Sequence, residues 1–569
     1  MEHLSRLGAA TSAAGLAALG VSAVLAWTYA VSLLLPSCPS QEGGVVVRLI
    51  TLPLGEAGVL LWALLLVVAS KGLVESWGWL AVSALAAGFS SILVGDPFLL
   101  AMLSAAYVVL AAFRNLRRCL EAVAAGVVAV EALSIAYLLA RAYAVKLPLP
   151  PALPYHLSLY CPLTVVAPLI VLATALAPLG ALALERKSKV YAPTLGRLGL
   201  LVGLATCILL WLVIYASALN PGVELIGVDS VTRYYPHAIM LLEGGLPSVI
   251  SIGYDRPLYY LFLYSLATAL GPFEAVKALP LFSLILHTLS SYAAARELAG
   301  RNVAALASAL APLTYTATAG LFGGLFSNWT ALSTGLFSVA FLSRWLKQGK
   351  ARWLALHYVM LVVTVATHIY MGAVFFASTS LSLSLFLISK KYRRRALAAL
   401  TLQLALAALG FYLADSAAAQ LGFRSPSNVV SALTRSWWSR VQKSQLFSPA
   451  WWRDFSFNVY EYAATAALDP TVWLLTAVGI ASPKPSELCN PFLAPWLIVV
   501  YLLSVTAPFE LMWRSLYDYP FSLSEALGLA YILSLIAEKA GERAALLWLA
   551  AIIFFKLSYT LAFTVGLAA

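Results

Sequence analysis

The sequence predicts an all-α fold, a polytopic membrane helical bundle, on three observations. Of 569 residues, 62% are hydrophobic and 11% charged, with a mean hydropathy of +0.88, a balance that excludes an ordinary soluble protein. Apolar runs of roughly 20 residues, the length an α-helix needs to cross ~30 Å of hydrocarbon, recur along the whole chain. The short alternating strands of a transmembrane barrel are absent.

The runs place membrane segments at approximately 9 to 35, 50 to 70, 75 to 94, 97 to 113, 119 to 141, 158 to 184, 195 to 219, 277 to 297, 302 to 321, 327 to 345, 352 to 369, 371 to 389, 396 to 415, 462 to 481, 491 to 508, 519 to 537 and 543 to 566. About 17 transmembrane helices are therefore expected. The first, with its basic start and no clear small-residue cleavage site, reads as a retained helix rather than a removed signal. The apolar stretch from Leu258 to Leu270 is left out of the count. Crossing there would put the cluster from Arg344 to Arg352 outside, so the stretch is expected to lie in the outer interface or re-enter.

Orientation comes from charge. The net charge of +12 could point to nucleic acid, but its basic residues sit in short clusters between apolar runs. Arg114, Arg117 and Arg118, then Arg186, Lys187 and Lys189, then Arg344, Lys347, Lys350 and Arg352, then Lys390, Lys391, Arg393, Arg394 and Arg395 all fall on one side when the N-terminus is cytoplasmic. The expected location is the cell membrane, with no nucleic-acid partner.

The charge run from Arg186 to Arg197 divides the chain into an N-terminal six-helix module (1–190) and a second module (191–569) with extracytoplasmic loops at 220–257 and 416–461. In the first module Glu131 lies well inside a span, either as a functional carboxylate or as a protonated, packed one. The five cysteines form no CxxC pair and no Cys/His cluster, which argues against structural zinc. Cys38 and Cys161 fall near the outer face, compatible with a disulfide or with two buried thiols. The loop 416–461 interleaves Arg424, Arg435, Arg440, Lys443 and Arg453 with Trp437, Trp438, Trp451 and Trp452, a pattern suited to lipid headgroups, a lipid phosphate or a sugar, or to simple anchoring.

The segment from Gly227 to Tyr260 is the polar exception to a lipid-adapted sequence. It holds Asp229, Arg233, His237, Glu243, Asp255 and Arg256. Ser327 and Asn328, Thr367, His368 and Tyr370, and Arg514, Tyr517 and Asp518 fall in later turns on the same outer face. Asp229 can serve as a general base or as a helix N-cap. Arg233 and His237 follow it at spacings of four, stacked on one helical face unless Pro236 kinks it. Arg514 and, after it, Arg256 are the candidates for an anion, because a buried guanidinium without one is costly. His368 and Tyr370 are candidate ligand contacts. Asn328-Trp329-Thr330 matches a glycosylation sequon against a membrane span.

Asp229, Tyr234, Tyr235, Ala238, Leu241, Leu242 and Gly244, followed by Pro257 and Leu258, resemble the first outer loop of the GT-C superfamily of integral-membrane glycosyltransferases, over roughly 195–569. The family's histidine ahead of the proline is replaced by the run from Tyr254 to Arg256. The loop GLFGGLFSNW lacks the paired acids that some members use for a divalent metal, so no metal is expected. The resemblance implies a GT-C-like C-terminal module that moves a sugar from a polyprenyl-phosphate donor, the donor being a substrate and not a cofactor, to a glycan, lipid or protein acceptor. It makes Asp229 the base, and it implies inversion at the sugar carbon. The remaining partners are membrane lipids. A multipass lipid or sugar transporter or flippase, and a noncatalytic scaffold of the same fold, are the competing expectations. P-loop and dinucleotide motifs are absent in convincing context.

Overall fold

The computed structural model describes residues 195–252, 256–421, 448–449, 469–482, 486–506 and 517–568, with scattered positions between 117 and 143. In chain order the helices are α1 (Leu198–Tyr215), a π-helical turn (Ser230–Tyr234), α2 (Tyr235–Ile252), α3 (Pro257–Leu270), α4 (Pro272–Ala299), α5 (Arg301–Leu310), a 3-10 turn (Ala311–Leu313), α6 (Tyr315–Gly323), α7 (Phe326–Gln348), α8 (Ala351–Thr367), α9 (Ile369–Phe386), α10 (Arg393–Leu421), α11 (Pro470–Ala481), α12 (Cys489–Thr506), α13 (Phe521–Ala540) and α14 (Glu542–Ala568). Helix is the only regular structure among the described residues, as expected where lipid leaves each backbone polar group to find its partner within its own segment.

Six of the described helical segments are long and apolar enough to cross a membrane: Leu198–Tyr215, Pro272–Ala299, Arg301–Gly323, Ile369–Phe386, Phe521–Ala540 and Glu542–Val565. Other expected crossings in the described region fall short for different reasons. Helix α7 has 23 residues but carries Ser327, Asn328, Thr330, Ser333, Thr334 and Ser338 on buried positions, so it packs among helices. Helices α8 and α11, with 17 and 12 residues, are short. The 14 residues of α3 span about 21 Å, less than the hydrocarbon core, in line with a segment that does not cross alone. The segment expected at 302–321 is among the six, and it passes through the 3-10 turn Ala311–Leu313 without ending there. The earlier expected segments, the 1–190 boundary and the Cys38–Cys161 pairing lie outside the described residues, although Glu131 itself is fully buried.

Small residues set the tightest helix contacts. Gly199 and Gly203 of α1 press directly on the backbone carbonyls of Ala305 and Ser308 of α5, and Gly479 of α11 and Gly528 of α13 do the same to Ser524 and Leu475. A methyl group at any of these positions would overlap a backbone oxygen, which is how helices without a hydrophobic drive toward each other gain packing. Helices α7 and α8, linked through Gly349 and Lys350, run antiparallel and are tied by Thr334 to Thr364 (2.9 Å) and by Ser338 to Nδ1 of His357 (2.6 Å). Helix α10 continues to Leu421 instead of giving way to a loop at 416, because the run from Ala417 to Gln420 is strongly helix-forming. Apart from that end and residues 448–449, the 416–461 loop lies outside the described residues.

Candidate functional site

The first loop is held by backbone meeting backbone. Gly227 (φ 90°) and Gly324 (φ 67°) approach so closely that a Cβ on Gly227 would lie 2.7 Å from the Cα of Gly324, and one on Gly324 would lie 2.9 Å from the amide nitrogen of Ser230. Both φ values belong to the left-handed half of backbone space, where glycine alone is unstrained. The contact seats the π-helical turn against the start of α7, and π-turns recur at functional sites.

Asp229 stands at the head of that turn with helical backbone angles, and its side chain makes no capping hydrogen bond. It faces Arg233 instead, with Nη1 3.6 Å from Oδ2 across one turn. The spacing of four thus survives, and Pro236 does not break it. Proline in the first turn of α2 costs no helical hydrogen bond; the kink falls at Gly245, ahead of Pro247. His237 turns away from Asp229, and its Nδ1 lies 2.7 Å from the Tyr260 hydroxyl.

Behind Asp229 lies a buried hydroxyl pair. The Tyr234 hydroxyl is 3.0 Å from Oγ of Ser327 and accepts from the Ser327 amide at 3.2 Å. Arg256, 5% exposed, donates from Nη1 to the same Oγ at 2.9 Å. Two hydroxyl hydrogens are available and the bond between the oxygens uses one. Whichever group donates, the other keeps a hydrogen to offer to a ligand. Burial pushes the Tyr234 phenol above its ordinary range, Arg256 pulls it back and Asp229 pushes it further up. Carboxylate and guanidinium therefore act on one hydroxyl with opposite sign, and the phenol stays protonated at neutral pH.

Two further phenols complete the surface. Tyr259 stacks at a tilt against Tyr234, with ring centroids 5.4 Å apart, and its buried hydroxyl has no hydrogen-bond partner. The Tyr517 hydroxyl, also buried without a partner, lies 2.7 Å from where a Cβ on Gly320 would sit. Burial raises the Tyr517 phenol as well, with Asp518 and then Tyr234 adding to it. Unpaired buried hydroxyls cost about 1–3 kcal/mol each, so two of them beside a charged pair mark a place made for a polar ligand.

Of the residues expected from sequence, the structure gathers Asp229, Arg233, Arg256 and Tyr517 around Tyr234, with His237 beside them through Tyr260. His368 and Tyr370 pair with each other, ring centroids 6.5 Å apart, at the end of the α7–α8 hairpin that holds Ser327. His368 caps α9 by accepting the Met371 amide at Nδ1 (3.3 Å), which leaves its proton on Nε2 in the neutral ring. Asp255 and Arg514 lie outside the described residues. The sequon is corrected: Asn328 is 2% exposed inside α7, and a buried helical amide is no glycosylation acceptor. The sequence treated Tyr234 as a motif position and Ser327 as a polar turn residue, and Tyr259 fell in the stretch expected at the interface, whereas all three form the centre of the site. The detectable signal was a tyrosine-rich stretch flanking charges of both signs in an apolar region. No family model and no curated protein matches the chain.

Proposed function

We propose that the chain is a multipass membrane glycosyltransferase of GT-C type that moves a sugar from a polyprenyl-phosphate carrier to an extracytoplasmic acceptor. The observation that carries the reading is the convergence of an uncapped carboxylate, Asp229, and a buried guanidinium, Arg256, on the Tyr234–Ser327 hydroxyl pair. Glycosyl transfer needs that combination. Asp229 accepts the proton of the acceptor hydroxyl as its oxygen bonds to the anomeric carbon; the bond from that carbon to the phosphate oxygen breaks, and its electron pair leaves with the phosphate. Arg256, with the spare hydroxyl hydrogen, offsets the charge that grows on the departing phosphate. Arg256 is assigned this role on its burial and its bond to Ser327; Arg514, the first candidate from sequence, lies outside the described residues.

The test uses purified full-length protein with a panel of polyprenyl-phosphate sugars, reading donor consumption by mass spectrometry. The expected result is consumption of one donor class, reduced about 10²- to 10⁴-fold in Asp229→Asn with thermal stability retained. Full activity in that folded variant defeats the role of Asp229. Flux of the lipid across proteoliposomes without chemical conversion defeats the enzyme reading altogether.

A further inference from the structure

A second polar centre, independent of the proposed reaction, is sealed between α11, α13 and α14. The ammonium of Lys556, fully buried in the middle of α14, contacts Asp469 Oδ2 and lies 2.7 Å from Glu525 Oε2. Lys556 and Glu525 have no exposed side-chain surface, and Asp469 is 4% exposed. The two carboxylates are not equivalent. Asp469 Oδ1 accepts from the Thr471 amide at 2.8 Å and from the Thr471 hydroxyl at 2.7 Å, and Lys556 also donates to that hydroxyl at 3.1 Å. Asp469 further caps α11, where the helix dipole favours an anion. Glu525 has the ammonium contact alone, without the amide and hydroxyl donors that serve Asp469.

With all three groups ionised the cluster would hold one excess negative charge away from water, a state that buried sites avoid by neutralising a group. The position between the carboxylates where a metal cation would sit is already filled by the ammonium. The charged groups facing Glu525 are Lys556 and Asp469. The helix α5 presents no ionisable side chain among its buried residues. Helix α4 contributes Ser291, bonded to Ser522 at 2.8 Å, with His287 one turn before it, and α11 contributes Thr476, 3.1 Å from Ser524. The nearby phenols are Tyr315 and Tyr519, both edge-on to Phe521.

We infer that Asp469, Glu525 and Lys556 form a proton-binding site, in which Asp469 and Lys556 are an ion pair and Glu525 holds the bound proton as a neutral acid. Intramembrane ionisable groups of this kind mark proton-handling sites in membrane proteins. Glu525 is the fifth residue of α13 and lies seven residues beyond Asp518, so the proton sits close along the chain to the turn that presents Tyr517.

Two variants of the full-length protein in an ester-free detergent separate the charge states. Glutamine matches the shape and polarity of a neutral glutamic acid, so Glu525→Gln is expected to shift the thermal midpoint by no more than about 2 °C. Asp469→Asn, which strips the partner from a buried ammonium, is expected to lower it by about 5 °C or more. The infrared spectrum of the wild type should show a protonated-carboxyl band that disappears in Glu525→Gln. A glutamine variant that is as destabilised as Asp469→Asn, or that fails to fold, overturns the inference, and so does a wild-type spectrum whose protonated-carboxyl band persists unchanged in Glu525→Gln. These readouts need no turnover, so they stand or fall separately from the proposed transferase activity.

Discussion

The two ends of the α7–α8 hairpin use charge in opposite ways. At the Gly349 end, Arg344 pairs with Glu297 at 2.8 Å, and the guanidinium groups of Arg344 and Arg352 each lie 4.7 Å from the ring centre of Trp353. Arg395 donates to the last carbonyls of α7, those of Leu346 and Lys347, at 2.6 and 2.8 Å. Every one of these cations is occupied with finishing a helix or covering an aromatic ring. At the Ser327 end, Arg256 is buried, its Ser327 partner keeps a shared hydrogen to give, and the Tyr259 and Tyr517 hydroxyls stand without partners. Arginine alone therefore does not mark a site. What distinguishes the second end is a guanidinium that the fold has buried against a hydroxyl pair.

Among the arginines, the largest effect should come from removing the buried cation. Arg256→Gln keeps a donor within reach of Ser327 and deletes the charge, so transferase activity is expected to fall about 10²- to 10³-fold while the thermal midpoint changes little. If the midpoint collapses and the activity of the surviving folded fraction is normal, Arg256 belongs with the structural arginines of the other end, and the comparison fails.

The helices from α1 to α14 were largely legible because apolar periodicity and glycine or proline punctuation are local signals. The site was half legible. Asp229, Arg233 and Arg256 announce themselves as charges in an apolar context, but the contact that assembles them, Gly227 against Gly324, joins residues almost a hundred positions apart and leaves no local pattern. The same limit hid the cluster of Asp469, Glu525 and Lys556. Each lies in a separate apolar run, and their meeting depends on the close approach of α11 and α13 at Gly479 and Gly528. A lone lysine within the apolar segment Glu542–Val565 was the available signal, and only the fold could supply its partners.

A next, smaller perturbation addresses the assembly itself. In Gly324→Ala the new methyl meets the Ser230 amide nitrogen at 2.9 Å, and the backbone must hold alanine at φ 67°. A cost of about 1–3 kcal/mol is expected. Because the strain falls on the π-turn, activity should drop about tenfold or more, and donor binding measured by calorimetry should weaken alongside it. Tyr259→Phe is gentler still. Its hydroxyl has no partner to lose, so stability should stay within about 0.5 kcal/mol of wild type. A drop in activity at unchanged stability would assign that hydroxyl to the ligand; unchanged activity would remove Tyr259 from the site.

The smallest expected effect on activity lies at the opposite end. Arg395→Met keeps most of the aliphatic stem and deletes the donors that cover the Leu346 and Lys347 carbonyls. Those carbonyls are near the end of α7, where water can replace part of what is lost, so the expected cost is about 1 kcal/mol in chemical or thermal unfolding. Turnover per folded molecule should be unchanged. The pairing of this variant with Arg256→Gln makes the comparison quantitative: one arginine is predicted to move stability with no change in rate, the other rate with little change in stability. A rate loss in Arg395→Met comparable to that in Arg256→Gln would mean that the hairpin transmits strain between its ends, and that the division of labour between them is not the one drawn from their hydrogen bonds.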